Sequence, residues 1–378
     1  MGELHLERLS LVQFKNYLNR EFRFGSRVVG IVGNNGIGKT NLLDAIYYLC
    51  FTRSYFSKSD AGNVNHGSSG FRIAGQVKKQ LDPVEITCVI RGNGRKEFAL
   101  NGEIYQKFSH HIGKFTCVFI APDDVVLLTG TSEERRKYID TILSQLDPAY
   151  LNALIDYNRI LQQRNSLLKD QRANQPVYQG DFGRGNFHTD LSLLEIYDQQ
   201  LAPLATVIHA ARKKFLDELI PRVNYFYDRI AGKDEQIEIA YISQLNEKTI
   251  TVLLNEFRQK DLLLQRTNAG IHKDDIDFLL RGQSFRNTAS QGQRKSLLIA
   301  LKLAEFEVLT KAKGFAPLLL LDDIFEKLDE SRMTNLLNFV CVENKGQIFI
   351  TDTHPGRLTQ TFEKINVEFD LINLSAED

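Results

Sequence analysis

Apolar and polar positions alternate through the start of the chain, at Leu4 and Leu6, then at Leu9 and Leu11, and again at Phe22 and Phe24, a pattern that predicts strands. The unbroken run Val28-Val29-Gly30-Ile31-Val32 predicts a short buried strand. Beyond the glycine-rich turn that follows it, Leu42, Leu43, Ile46 and Leu49 fall at helical spacing, so the order here is strand, glycine loop, helix. Residues 71–121 return to strand-like pieces broken by turn signals at Gly92-Asn93-Gly94 and Asn101-Gly102. They close on Thr116-Cys117-Val118-Phe119-Ile120, and the whole stretch reads as a mostly β region.

From about residue 131 the period changes. Leu143, Leu146, Tyr150, Leu154, Tyr157 and Leu161 step by three and four, an amphipathic helix with Arg159, Arg164 and Lys169 elsewhere around it. A turn-rich stretch over 174–186 interrupts, and Leu194, Tyr197, Leu201, Leu204, Ile208, Ala211, Phe215 and Leu219 then resume the helical step, bent or broken near Pro203 and Pro221. Two antiparallel helices joined by a flexible tip are expected, an arm reaching about 40 to 60 Å at about 1.5 Å per residue, which excludes a long coiled coil. After Gly282 the pattern predicts a helix over 290–309, a buried strand over 317–321, a helix over 330–340 and a strand over 347–351. Alternating helices and apolar strands imply a parallel sheet, hence an α/β fold. The expected organisation is one α/β lobe built from 1–130 and 266–378, with 131–265 inserted as a helical arm lobe.

Length and composition narrow the class. A chain of 378 residues that is 43% hydrophobic and 25% charged is an ordinary globular chain of two or three domains. No apolar run approaches the roughly 18 to 20 residues of a membrane span, and the start lacks the basic-then-apolar pattern of a secretory signal, so a cytoplasmic location with no membrane partner is expected. The four cysteines, Cys50, Cys88, Cys117 and Cys341, form no Cys-x-x-Cys motif and read as free buried thiols. Formal net charge is zero, but residues 51–120 carry ten Lys/Arg against five Asp/Glu, and 301–378 carry eight against fourteen. A basic segment of this kind is either a phosphate-facing surface or a solvated face balanced by its neighbours.

The residues that bear chemistry fall into three groups. Gly33-Asn34-Asn35-Gly36-Ile37-Gly38-Lys39-Thr40 matches G-x-x-x-x-G-K-[ST] between an apolar strand and a helix start, the setting of a phosphate-binding P-loop. Its glycines let successive N–H groups face phosphate oxygens, Lys39 would reach the β and γ phosphates of ATP, and the Thr40 hydroxyl would hold Mg²⁺. Leu318-Leu319-Leu320-Leu321-Asp322-Asp323 is a buried strand ending in two carboxylates, which suits Asp322 to the metal ion and Asp323 to orienting water as a general base. Ser290-Gln291-Gly292-Gln293 precedes an apolar helix, where a hydroxyl, a glycine N–H and a helix start make either an anion site or a simple N-cap.

Taken together these segments, with Glu326-Lys327-Leu328-Asp329 after the second strand, resemble an ABC-type ATPase head of the SMC-like class, a P-loop NTPase with a mixed or parallel sheet. Leu9 to Tyr17, the segment from Asn35 through Ile46, Ala121-Pro122-Asp123-Asp124, Glu134-Arg135-Arg136-Lys137-Tyr138-Ile139-Asp140 and His272-Lys273-Asp274-Asp275 narrow the resemblance to the RecF family of bacterial DNA replication and repair proteins. The resemblance implies an ATP-dependent homodimer in which Ser290, Gln291, Gly292 and Gln293 face the nucleotide of the partner subunit. It also implies binding to gapped DNA at single-strand/double-strand junctions, slow DNA-stimulated ATP hydrolysis, and work with RecO and RecR in loading RecA. For the DNA surface the basic residues Arg53, Lys58, Arg72, Lys78 and Lys79 are the candidates.

Where ABC ATPases usually place a glutamine between lobes this chain has Asp123-Asp124, and where many place a glutamate after the metal residue it has Asp323. Thr353 and His354 are alternatives for a γ-phosphate switch, His272 reads as structural or lobe-coupling, and His110-His111 reads as surface. The alternative function is an SMC-like ATPase switch or scaffold in another DNA-maintenance or defence system. A nuclease-linked head would need a further domain after Asp323, where about 55 residues follow. A small-molecule kinase would leave the Ser-Gln-Gly-Gln segment and the arm unexplained.

Overall fold

The computed structural model describes residues 4–80, 82–173, 191–232, 235–324 and 330–375. The chain opens with β1 (Leu4–Phe14), β2 (Tyr17–Arg23) and β3 (Val28–Val32), followed by α1 (Lys39–Phe51). Next come β4 (Phe71–Lys79), β5 (Asp82–Ile90), β6 (Lys96–Leu100), β7 (Glu103–Ile104) and β8 (Cys117–Ile120). A one-turn α2 (Val126–Thr129) leads into α3 (Ser132–Leu146), α4 (Pro148–Ala173) and α5 (Leu191–Ala231). The chain then returns through β9 (Ile237–Ile242), α6 (Ile250–Leu264), β10 (Asp275–Leu280), β11 (Gln283–Ser284) and the short α7 (Phe285–Thr288). It finishes with α8 (Gln291–Lys313), β12 (Leu318–Leu321), α9 (Glu330–Leu337), β13 (Ile348–Asp352), α10 (Pro355–Lys364) and β14 (Phe369–Asn373).

Three sheets form. β2, β1, β4, β5, β6 and β7 make an antiparallel sheet in that order, β11, β10 and β9 a second, and β14, β3, β13, β12 and β8 a wholly parallel third. Successive residues of the parallel strands serve two cores. Val29, Ile31, Phe119, Leu318, Leu320 and Phe349 pack with α1 and the antiparallel sheet. Val28, Val32, Val118, Leu319, Leu321 and Ile350 pack with the helices on the opposite face. A sheet buried on both faces has no polar side, which is why its strands read as continuous apolar runs.

In β1 the shift of pairing register between Leu6 and Arg8 lets Leu4, Leu6, Leu9 and Leu11 all face the same core. Such a bulge reverses the side-chain phase, and the change from even to odd apolar positions is its trace in the sequence.

Several expectations are corrected. The strand at 117–120 does not close the β region; it joins β12 in the parallel sheet. The helix expected from residue 131 is two helices, because Pro148 pushes Asp147 into extended backbone (φ −134°, ψ 110°), from where its carboxylate accepts the Ala149 N–H at 2.8 Å and caps α4. In contrast, α5 runs unbroken through Pro203 and Pro221. Its inner face, Leu201, Ala205, Ile208, Leu219 and Val223, stays buried on both sides of each proline, so packing offsets the lost backbone bonds. The arm is antiparallel, since Tyr150 and Arg164 of α4 meet Arg212 and Asp198 of α5. The helix near 330–340 gives way after Leu337 to a π-helical turn over Asn338–Glu343. His111 is not a surface residue: it is buried, with Nε2 donating to the Leu49 carbonyl at 2.7 Å, and burial pushes its pKa down to about 4. The turn-rich stretch at 174–186 and Glu326-Lys327-Leu328-Asp329 lie outside the described residues.

Candidate functional site

The phosphate loop leaves the C-terminal end of β3 and is closed by the start of α1. Gly33 (φ +154°) and Gly38 (φ +114°) are places where only glycine fits. A Cβ at Gly33 would lie 2.7 Å from the Leu374 carbonyl, and one at Gly38 would lie 2.4 Å from Asn16 Nδ2. The loop is braced from the β1–β2 hairpin. Asn16 Nδ2 donates to the Ile37 carbonyl at 2.9 Å, Tyr17 Oη to the Gly38 carbonyl at 3.0 Å, and Asn41 Nδ2 to Asn16 Oδ1 at 2.7 Å. Both bracing asparagines lie in segments that carry the family resemblance, but the sequence assigns neither a role, because a turn asparagine has many ordinary uses.

Lys39 is nearly sealed from solvent and folds its ammonium over the loop, donating to the Gly33 carbonyl at 2.8 Å and the Asn34 carbonyl at 3.0 Å. Thr40 Oγ1 donates to Asp322 Oδ2 at 2.8 Å, which brings the two proposed metal-holding residues together from opposite ends of the chain. Thr351, at the end of β13, donates its hydroxyl to Asp322 Oδ1 at 2.8 Å and accepts the Asp323 N–H at 2.9 Å. Sequence reasoning passed over Thr351, since a β-branched residue in a buried strand carries no signal of its own.

Asp322 is buried and receives only these neutral hydroxyls; among the described residues no cation forms an ion pair with it. Burial raises its pKa, the Thr351 and Thr40 hydroxyls oppose that rise, and Asp323 adds to it. A desolvated carboxylate beside a hydroxyl is the oxygen donor set of Mg²⁺, which would take its remaining ligands from phosphate and water. Asp323 itself takes a left-handed backbone (φ +45°), a strained conformation for an aspartate.

The Ser290 segment is an N-cap in this chain: Ser290 Oγ accepts the Gln293 N–H at 3.2 Å, and Gln293 Oε1 accepts the Ser290 N–H at 2.8 Å. Gln293 Nε2 also donates to Glu235 Oε2 at 2.9 Å, while Gln291 and Gly292 begin α8. Gln291 is exposed at the helix start.

Of the Asp123-Asp124 pair, Asp123 faces solvent and Asp124 turns inward. Asp124 accepts from the Tyr55 hydroxyl, accepts the Ala121 N–H at 2.9 Å, and lies 3.6 Å from Lys302 Nζ on α8. Glu305, one turn along α8, is buried 3.9 Å from the same ammonium, and burial raises its pKa to about 7. Thr353 and His354 cluster around Asp352, whose carboxylate accepts the His354 N–H at 3.2 Å and pairs with Arg357.

The five candidate DNA contacts do not form one patch. Arg53 and Lys58 are exposed on the segment after α1, which Asp44 anchors by accepting from Ser54 Oγ (2.6 Å) and the Tyr55 N–H (2.7 Å). Arg72 and Lys78 lie on the outer face of β4, about 20 Å apart at about 3.3 Å per residue, and Arg72 is 3.9 Å from Glu85. Lys79 donates to the Lys114 carbonyl at 2.9 Å between the rings of Phe115 and Phe315, and burial lowers its pKa.

A family model for AAA domains matches residues 8–337. The DNA replication and repair protein RecF of Flavobacterium johnsoniae is 41% identical over 372 residues, covering 98% of this chain and 100% of that protein. RecF of Parabacteroides distasonis is 40% identical, covering 98% and 97%. A solved structure of the recombination mediator protein RecF-ATPrS in the RecFOR pathway superposes with a TM-score of 0.84 at 28% identity, covering 99% and 96%. The Smc head domain of Pyrococcus furiosus superposes at 0.54 and 16% identity, covering 99% and 94%, and shows the shared ABC-type ATPase head fold alone. No helix among the described residues is long and apolar enough to cross a membrane.

Proposed function

The chain belongs to the RecF family of DNA replication and repair proteins, and from that premise we propose that it is an ATP-dependent DNA-binding protein of recombinational repair and replication-fork recovery. The observation that carries the reading is the convergence of the braced phosphate loop, Lys39 and the Thr40–Asp322 pair at the C-terminal end of a parallel sheet. Loop N–H groups and the start of α1 bind the phosphates, and Lys39 exchanges its two loop carbonyls for phosphate oxygens. Thr40 and Asp322 would hold Mg²⁺, which when bound would neutralise charge developing on the phosphates. Asp323 orients the attacking water. Its short side chain on a strained backbone fits slow turnover, with hydrolysis acting as a reset.

Ser290 and Gln291 are exposed at the start of α8, and we assign this N-cap to the nucleotide of a second subunit. Two ATP molecules would then clamp a homodimer, joining phosphate-binding surfaces that are modest singly into one site for gapped DNA. Cytoplasmic location, and partnership with RecO and RecR in RecA loading, complete the proposal.

Sedimentation velocity with Mg²⁺ tests the dimer. The wild type is expected to dimerise with ATP and not without it, while Ser290→Arg binds a fluorescent ATP analogue yet stays monomeric. A wild-type chain that binds the analogue and remains monomeric contradicts the clamp.

A further inference from the structure

Two sequence segments, Glu134 to Asp140 and His272 to Asp275, have no part in the nucleotide site, yet the fold lays one against the other. Arg135 pairs with Asp275 (2.5 Å), Arg136 Nη1 donates to the Asp274 carbonyl (2.6 Å), and Arg212 from α5 bonds both Asp140 (2.9 Å) and Asp274 (2.7 Å). His272 accepts from Tyr157 Oη (2.8 Å) and donates to the Thr267 carbonyl (3.0 Å). Within His-Lys-Asp-Asp, therefore, only Lys273 is left exposed.

Lys273 does not stand alone. Arg266, on the loop that connects α6 to β10, and Lys260, on α6, are exposed beside it, and Arg136 flanks it from α3. Among the described residues no carboxylate forms an ion pair with Lys260, Arg266 or Lys273, while Arg136 lies in the field of Asp274, Asp275 and Asp140. Asp261, whose charge also acts on Lys273, is fully buried and already bound by Arg164 at 2.8 Å. Partial burial and the charges of Arg266, Arg136 and Lys260 hold the Lys273 ammonium below the usual lysine range. Exposed cations gathered on one surface attract an anion that spans them. The patch also presents apolar surface: Leu263 is 79% exposed, and the Phe257 ring lies 5.4 Å under the Lys260 ammonium.

We propose that Lys260, Arg266 and Lys273, backed by Arg136, form a binding surface for the sugar-phosphate backbone of DNA, at the junction of the helical arm with the ATPase lobe. The inference rests on the proposed DNA-binding function and gives it a location different from β4. Cations bind phosphates and the exposed leucine side chain covers sugar, a combination that reads backbone and not sequence. α3, which carries Arg136, also touches α8, where the Tyr138 hydroxyl donates to the Leu301 carbonyl at 2.8 Å.

The test is fluorescence anisotropy of a labelled gapped duplex with ATP over a salt series, comparing the wild type with Lys260→Gln/Arg266→Gln/Lys273→Gln. Loss of three phosphate contacts predicts about tenfold or greater weakening and a slope of log K against log salt shallower by about 2 to 3. A charge-conserving variant, Lys260→Arg/Arg266→Lys/Lys273→Arg, should keep both, and single Arg266→Gln should lower the slope by about 1. Wild-type-like affinity and slope in the triple variant overturn the surface while the DNA-binding reading stands, and point instead to an acidic protein as the occupant. A wild type that binds no DNA with ATP overturns both.

Discussion

Arg212 on α5 and Asp274 ahead of β10 lie 2.7 Å apart with both side chains almost wholly withdrawn from water. The guanidinium also bonds Asp140 and the Ile271 carbonyl, and the Tyr241 hydroxyl donates at 2.6 Å to Asp274 Oδ2, the same oxygen that Arg212 bonds. Burial opposes the Arg212 charge, but Asp140 and Asp274 more than restore it and hold its pKa high. α5 is thus fastened to α3 and to the segment ahead of β10 by a desolvated ion network.

Removing one member of such a network leaves the others charged and buried, which costs about 3 to 5 kcal/mol. Arg212→Leu is therefore expected to lower the melting temperature sharply, and Arg212→Leu/Asp274→Leu to recover part of the loss. Thermal melts of the two variants check this; a double variant no better than the single would show that the residues act independently.

Glu305 gives a pH signature. Its folded pKa of about 7 stands above the ordinary carboxylate value, so between about pH 4.5 and 7 the folded chain binds more protons than the unfolded one. Stability from this group accordingly falls as pH rises through that window and stays reduced above it. Glu305→Gln should be near neutral at pH 5 and stabilising by about 1 to 3 kcal/mol at pH 8. Calorimetry at the two pH values decides, and an equal difference at both would remove Glu305 as the cause.

How far these features can be read from the chain depends on whether their signal is local. The phosphate loop was legible because its glycine spacing, preceding strand and following helix are contiguous, and the β1 bulge left a visible slip from Leu6 to Leu9. The antiparallel arm and the parallel sheet followed from apolar periodicity. Asn16 and Thr351 were not legible: each acts on a residue far away in sequence, Ile37 and Asp322, through a side chain with many ordinary roles. β14, which pairs with β3 beside the phosphate loop, was missed because its half-buried edge residues carry no clear alternation. The polarity of Asp124 suggested a site, whereas Tyr55 and Lys302 engage it inside the fold.

Asn16 should matter for nucleotide more than for stability. Asn16→Ala removes its donation to the Ile37 carbonyl and the acceptor for Asn41, at about 1 kcal/mol each, so affinity for a fluorescent ATP analogue should fall about 5- to 30-fold with little change in melting temperature. Isothermal titration alongside a melt separates the two effects, and loss of fold in place of affinity would make Asn16 a stability residue.

Thr351→Val deletes a hydroxyl that holds the Asp322 pKa down. A more basic Asp322 keeps its proton to higher pH, and the proton competes with Mg²⁺. The pH below which Mg²⁺-dependent nucleotide binding fails should therefore move upward in the variant, a shift readable from titrations across a pH series. No shift would disconnect Thr351 from the metal.

The most direct test of an ATP-gated DNA clamp is anisotropy of a labelled gapped duplex at fixed salt, with ATP, without it, and with Lys39→Ala. Tight binding is predicted only for the wild type with ATP. Equal, weak binding in all three would contradict the account and turn attention to an ATPase whose client is a protein.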